Sequence, residues 1–339
     1  MKILVTGGAG FVGSNLVNYM LNKGHEIVLY DDLSRKGTKK NLDWLKENHN
    51  TKLDVVLGDI RDYSKLKEVV RDVDVVYHTA AQVAVTTSVT NPILDFEINA
   101  LGTLNVLEAA RNTNTDPALI FTSTNKVYGK MDGVKVIERD GRYDYKTLKE
   151  GNPETQSLDF HSPYGCSKGA ADQYVRDYSR IYGMKNVVFR MSCIYGTRQF
   201  GCVDQGWVSF FIISSILKEP LTIFGDGKQV RDILYVDDLV NAFELATHEI
   251  NKTRGNVYNV GGGPENVISL LELISYLEDL SGGKVEYSFD DWRPGDQMVY
   301  YTNISKAQKD FGWWPKISKR EGIKKLYDWT LENKELFER

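Results

Sequence analysis

The run Met1-Lys-Ile-Leu-Val-Thr-Gly-Gly-Ala-Gly-Phe-Val-Gly13 decides how the chain is read. Ile3–Val5 is short, apolar and rich in β-branched residues, which predicts a buried strand. Glycines follow at once, and then the amphipathic stretch Gly13–Asn22. The order is strand, tight turn, helix. Gly7 permits the turn, Gly10 lets backbone approach a pyrophosphate, and Gly13 allows close packing of the helix. Free N–H groups at the helix start, around Phe11 and Val12, then point at the phosphates.

The same alternation continues outward. Ile27–Tyr30, Val55–Leu57, Val73–Tyr77, Leu119–Thr122 and Val187–Phe189 read as buried strands, and Ser64–Arg71, Leu94–Asn112 and Pro163–Tyr182 as helices between them. Strands separated by helices predict an α/β fold: a doubly wound parallel sheet of Rossmann type with helices on both faces. After about residue 190 the pattern loosens, with glycine clusters at Gly225–Gly227 and Gly261–Gly263 and a helix over Leu270–Leu280. The expected organisation is a dinucleotide-binding domain over 1–189, rejoined by the chain around 233–260. Residues 190–339 mainly form a smaller mixed α/β substrate domain. Lys130–Glu154, polar and charged, reads as a long surface excursion near the site.

The second strand ends at Asp31, whose carboxylate suits the ribose hydroxyls of an adenosine and repels the extra phosphate of NADP. Asp32 and Ser34 adjoin it. Arg35 and Lys36 argue the other way, since basic residues can accommodate that phosphate; the balance favours NAD. Asp59 and Ile60, after the third strand, are placed to flank adenine, and the small residues Ala80 and Ala81 suit close passage of backbone beside the cofactor. His78 reads as satisfying a local hydrogen bond.

Composition narrows the partners. The 339 residues are 42% hydrophobic and 26% charged with a net charge of -4, which gives no electrostatic case for nucleic acid or an anionic membrane. Cys166, Cys193 and Cys202 are odd in number and lack a C-x-x-C pair, so neither a disulfide framework nor zinc is expected, in keeping with a reducing cytoplasm. Five histidines show no ligand spacing, and no metal is expected. The first residues reach glycine too soon for a signal-peptide core, and the apolar run Phe210–Leu217 is too short for a bilayer. A soluble protein follows.

Tyr164 and Lys168 lie four apart, on one face of a helix that Pro163 starts and Ser162 caps. A cation beside a phenol favours phenolate and makes it a base near neutrality. Lys168 can also bind nicotinamide ribose. Tyr145 and Lys149 share the spacing but fall in the polar excursion, so context selects the later pair. The fifth strand runs into Ser123-Thr124-Asn125-Lys126-Val127-Tyr128-Gly129, where a hydroxyl can meet a reacting oxygen.

Together the glycine turn, Asp31, the Ser123–Gly129 segment and Tyr164-x-x-x-Lys168 resemble the extended short-chain dehydrogenase/reductase family of sugar-nucleotide epimerases and dehydratases, over almost the whole chain. The resemblance implies Thr124 as the catalytic hydroxyl, Tyr164 as acid/base, Lys168 as its lysine, and Asn99 as a support for the central helix. Dehydratases of the family carry Asp-Glu after the threonine. Asn125-Lys126 stands there instead, which removes the elimination machinery and leaves the hydride-transfer site. Longer runs, Leu158–Tyr174, Asp204–Val208 and Gly227–Asp232, resemble the branch that inverts C2 of a CDP-linked dideoxyhexose. That implies such a substrate, with Thr124 and Asn125 at the sugar and Arg231 and Arg293 (in Trp-Arg-Pro-Gly-Asp-Gln) on the pyrophosphate. Sequence alone reads these arginines equally well as solvated loop residues. A C4 epimerase of another nucleotide sugar and a non-catalytic nucleotide-sugar or redox-sensing protein are the competing readings. Resemblance also implies a homo-oligomer paired through the helices Leu94–Asn112 and Pro163–Tyr182, although packing on the sheet accounts equally for an apolar face there.

Overall fold

The computed structural model describes residues 1–49, 51–293 and 296–337. Seven strands form one sheet in the spatial order Val257–Val260, Asn186–Met191, Ala118–Thr124, Val75–His78, Lys2–Thr6, Glu26–Asp31, Leu53–Leu57. Every neighbouring pair is parallel. Because strand side chains alternate, each strand feeds two cores. Ile3, Val5, Leu29, Tyr77 and Phe189 face one side. Leu4, Val28, Tyr30, Val76 and Val188 face the other. Helices cover both layers, which is why these strands read as continuous apolar runs.

The strand order reverses between Lys2–Thr6 and Val75–His78, which opens a crevice above their carboxyl ends. The seventh strand arrives late, after the helix Val236–His248. Smaller sheets build the other part. Val230–Tyr235 pairs antiparallel with Val267–Ser269 and parallel with Val299–Tyr300 and Cys193–Tyr195. Leu221–Phe224 pairs parallel with Tyr287–Asp290. Among the described residues no helix is long and apolar enough to cross a membrane.

Two expectations need correction. Leu94–Asn112 is not one regular helix: it begins at Pro92 under an Asn91 cap, widens into a π turn over Glu97–Leu101 and resumes as Gly102–Arg111. The widened turn contains Asn99, whose side chain bonds the Gln82 backbone on both its N–H and its carbonyl (3.0 Å each). Nor is Lys130–Glu154 a plain surface excursion. It folds as a hairpin, Val136–Arg139 with Arg142–Tyr145, and Tyr145 is buried against Val230, Val299 and Tyr300. Its hydroxyl donates to the Val299 carbonyl (2.9 Å), so the decoy tyrosine is a core residue on a strand.

Candidate active site

The glycine turn is built as its spacing predicts. Gly7 has φ +68°, and a Cβ there would sit 2.7 Å from the Ala80 backbone. A Cβ at Gly13 would collide with the Gly7 carbonyl. The helix Phe11–Asn22 starts at Gly10 without any side-chain cap, which leaves its first N–H groups for a ligand. Asp31 is buried, and its two oxygens accept from the backbone N–H groups of Ala9 (3.0 Å) and Leu33 (2.8 Å). Burial raises its pKa, and those same donors oppose the rise. An ionised carboxylate has acceptor capacity beyond two bonds, so a hydroxyl pair can still be bound.

One pocket is lined by Gly7, Gly10, Phe11, Val12, Gly13, Asp31, Asp32, Ser34, Arg35, Asp59, Ile60, Ala80 and Ala81. Asp32 accepts from the N–H and hydroxyl of Ser34, which shapes the loop after the second strand. The Asp59 carboxylate is engaged by Arg61 at 2.6 Å. The far wall was not legible in advance: Arg198, Gln199, Phe200 and Gln205 follow the strand Cys193–Tyr195. A loop leaving the carboxyl end of a strand beside the crevice was the available signal. Arg35 spans the pocket to Gln205 (3.2 Å). Asn41 donates to the Arg198 carbonyl (3.2 Å), and Arg198 stacks over Trp44 (4.2 Å) and near Trp329 (5.4 Å).

Tyr164 and Lys168 lie outside that lining, on the helix Ser162–Tyr182. Ser162 has φ +63°, outside helical values, and its Oγ accepts from the Gly165 N–H (3.3 Å), while Gly183 closes the far end in the left-handed conformation. Thr124, Tyr164 and Lys168 are all buried. Burial pushes the Tyr164 phenol up to about 12, against a hydrogen bond from Thr124 and the charge of Arg35. Lys168 does not act on the phenol here, contrary to the expectation. Its ammonium donates to the Thr122 carbonyl (2.7 Å) over the Phe121 ring (4.3 Å), and burial brings it down to about 7. The low-dielectric surroundings cost both charged forms more than their neighbours return.

Two buried networks hold this helix. Asp172 lies eight residues beyond Tyr164, on the same face. It takes a two-point ion pair from Arg190 (2.8 Å each) and a bond from Ser123 (2.7 Å). Asp95 accepts from Ser167 (2.5 Å), Gln82 (2.7 Å) and Asn99 (3.1 Å), which ties Asn99 to the same helix. His78 is bonded by Thr6 (2.7 Å) and Thr103 (3.0 Å), and burial lowers its pKa to about 3.

Beyond Thr124, Asn125–Tyr128 forms a single 3-10 turn. Asn125 is buried, 3.4 Å from the Thr124 hydroxyl. Arg231, also buried, meets Asp296 at 2.9 Å, and the Lys126 ammonium approaches the same carboxylate oxygen at 3.8 Å. Arg293 donates to the Val203 carbonyl (2.9 Å) and lies over Phe224 (3.9 Å). Pro294 and Gly295 of its motif lie outside the described residues. Against burial, Arg231 and Lys126, with a smaller contribution from Arg293, hold the Asp296 carboxyl below its ordinary range. Lys126 and Arg231 share the Asp296 carboxylate while Arg293 faces Asp204 (3.7 Å), so three cations meet two carboxylates and one positive charge is left over for an anion. No group of three or more metal-ligating side chains occurs among the described residues.

A dinucleotide crevice, a buried Thr–Tyr–Lys set and a neighbouring cationic cluster match a known group of proteins. The profile of the GDP-mannose 4,6 dehydratase family covers residues 4–326, and the chain belongs to that family of sugar-nucleotide enzymes. Within it, the chain is 45% identical over 337 residues to CDP-paratose 2-epimerase of Salmonella typhi, covering 97% of this chain and 99% of that one. Among solved structures, Pal from Bacillus thuringiensis matches with a TM-score of 0.85 at 33% identity, over 98% of this chain and 100% of the other. The UDP-glucuronic acid 4-epimerase of Bacillus cereus, in complex with UDP-glucuronic acid and NAD, matches with a TM-score of 0.84 at 30% identity and the same coverage.

Proposed function

We propose that this enzyme interconverts CDP-paratose and CDP-tyvelose by inverting sugar C2 through transient oxidation, with NAD as a resident cofactor. The observation that carries the reading is the 45% identity, almost end to end, with a protein of that activity. The glycine cradle and the buried Asp31 fit NAD. Gly7, Gly10, Phe11, Val12 and Gly13 take its phosphates; Asp31, with Asp32, Ser34 and Arg35, takes the adenosine ribose side. Asp59 and Ile60 flank adenine, Ala80 and Ala81 pass beside the cofactor, and Tyr164 and Lys168 reach the nicotinamide ribose.

Neither carbon beside C2 acidifies its C–H bond, so direct deprotonation has no driving group. Oxidation removes that obstacle. NAD, when bound, supplies the hydride acceptor, the returning donor and a positive ring charge. As phenolate, Tyr164 takes the proton of the C2 hydroxyl as the C2–H electron pair departs and C2–O becomes a carbonyl. Thr124 holds that oxygen by hydrogen bonding, and Asn125 borders the sugar. Arg231 and Arg293 anchor the diphosphate while the sugar turns its other face. Tyr164 then returns the proton. Asn125-Lys126 in place of two carboxylates argues against water elimination by this member.

Purified enzyme should form CDP-tyvelose from CDP-paratose without stoichiometric cofactor, and deuterium at C2 should stay in the product. Washout of that deuterium into solvent would rule the oxidative route out. C4 inversion of another nucleotide sugar is the second reading, favoured by the 30% identity with the Bacillus cereus 4-epimerase; product analysis over CDP-, UDP-, dTDP- and GDP-sugars separates the two.

Pairing of two chains belongs to the same proposal. Ile93, Phe96, Ile181 and Tyr182 are at least half exposed on the two helical segments that the resemblance assigns to it. Sedimentation equilibrium should give a mass of at least two chains; a single-chain mass at micromolar concentration would end that part.

A further inference from the structure

Lys126 has no part in the mechanism above, yet its placement is constrained from both ends. Its backbone N–H donates to the Thr124 hydroxyl oxygen (3.2 Å), and its ammonium reaches the Asp296 oxygen that Arg231 also holds. One side chain therefore runs from the reacting-oxygen seat to the cationic cluster. The juxtaposition is locked from a second direction: Gln297, next to Asp296, donates to the Gly129 carbonyl (2.5 Å) just after the turn that carries Lys126. Lys126 is partly buried, and with Arg231 so near, two cations stand where only an anion makes their proximity favourable. Arg293 has Asp204 as its own partner (3.7 Å), and the single Asp296 carboxylate does not balance Lys126 and Arg231 together.

Sugar geometry gives this position a meaning. In a sugar diphosphate, C2 is three bonds from the sugar-proximal phosphorus, through C1 and the anomeric oxygen. C4 is five bonds away, across the ring. In a 3,6-dideoxyhexose these two carbons carry the secondary hydroxyls open to oxidation. An enzyme that oxidises C2 must hold the diphosphate close to its catalytic hydroxyl; one that oxidises C4 must hold it a ring-width away. A cation rooted two residues after Thr124 serves the first arrangement.

We propose that Lys126 binds the sugar-proximal phosphate and so sets C2, rather than C4, against Thr124 and Tyr164. The inference rests on the proposed C2 reading for its consequence, whereas the phosphate contact stands independently of it. Asp296, shared with Arg231, keeps the ammonium aimed at the phosphate seat.

The test compares NAD-loaded wild-type, Lys126→Met and Lys126→Arg enzymes. CDP and CMP serve as inhibitors, or as titrated ligands if no turnover is found. CDP carries the second phosphate and CMP lacks it. Lys126→Met should weaken CDP roughly ten- to hundredfold, as expected for loss of a hydrogen bond between charged groups, and leave CMP and bound NAD unchanged. Lys126→Arg should recover most of the CDP affinity. With CDP-paratose, Lys126→Met should lose C2 turnover by at least the same factor, and C4-inverted sugar should appear in its residual product. Equal weakening of CDP and CMP, or undiminished C2 turnover in Lys126→Met, overturns the proposal. If wild-type enzyme forms no CDP-tyvelose while the CDP–CMP contrast holds, the C2 reading has failed and the phosphate contact has not. Should Lys126→Met lose NAD or fail to fold, Lys126→Gln takes its place: CDP affinity below one-tenth of wild type with normal CMP binding supports the contact, and unchanged CDP affinity or equal loss of both ligands counts against it.

Discussion

Tyr164→Phe is expected to lower kcat by roughly 10²- to 10⁴-fold, the usual contribution of a positioned acid/base, while bound NAD stays at its wild-type amount. The substitution deletes one oxygen and keeps the ring. That ring is buried on a helix held elsewhere by Asp172 and Ser167, so the fold has little reason to respond. What disappears is the phenol oxygen beside Thr124, the one group placed to carry the hydroxyl proton. Thr124 cannot substitute, because a hydroxyl of ordinary acidity is a poor base. Lys168 is not placed to either: its ammonium is aimed at the Thr122 carbonyl and, in the proposed reaction, at the nicotinamide ribose rather than at the C2 hydroxyl. Single-turnover conversion measured beside cofactor content reads both quantities. Turnover within tenfold of wild type would move the proton-transfer role to another residue.

Arg190→Met carries the largest expected effect on stability, a loss of about 3–5 kcal/mol in unfolding free energy. Arg190 and Asp172 are 3% and 1% exposed, and two parallel hydrogen bonds join them. Removing the guanidinium leaves the buried Asp172 carboxylate without its cation, held only by Ser123 (2.7 Å) and the neutral amide of Gln173 (2.8 Å). Tyr128 loses a donor too (3.1 Å), although Asn259 still accepts from its hydroxyl (2.7 Å). Urea unfolding of wild type, Arg190→Met, Asp172→Asn and the double variant gives the measurement. The double variant should cost clearly less than the two single changes together, because it leaves no unpaired charge. Strict additivity would mean that the pair contributes little.

Local features were the legible ones. The glycine turn, Asp31 and the small residues after the fourth strand were read from short spacings, and all of them line one pocket. The parallel sheet was readable because strands buried on both faces must be apolar throughout. Distant pairing was not readable. Tyr145 looked like surface in a polar stretch, but it is buried by Val299 and Tyr300, which lie far along the chain. Asp172 and Arg190 looked like two of many charges, and nothing local distinguishes a buried ion pair from solvated ones. The π turn at Glu97–Leu101 interrupts no apolar pattern, so it left no mark on periodicity. Lys168 is assigned to the phenol by helical spacing, context and family motif, none of which reveals its carbonyl partner on a neighbouring strand.

The wall formed by Arg198 and Phe200 also constrains the order in which the protein can be completed. Arg198 lies against Trp329, Phe200 against Phe337 (5.3 Å), and Lys40 donates to the Leu336 carbonyl (2.5 Å) across 296 positions. The glycine turn emerges early during synthesis, but the brace behind the opposite wall emerges more than three hundred residues later. A ribosome-bound chain can therefore form the phosphate cradle long before it can close the crevice, and firm capture of the cofactor becomes a late event in the protein's biogenesis.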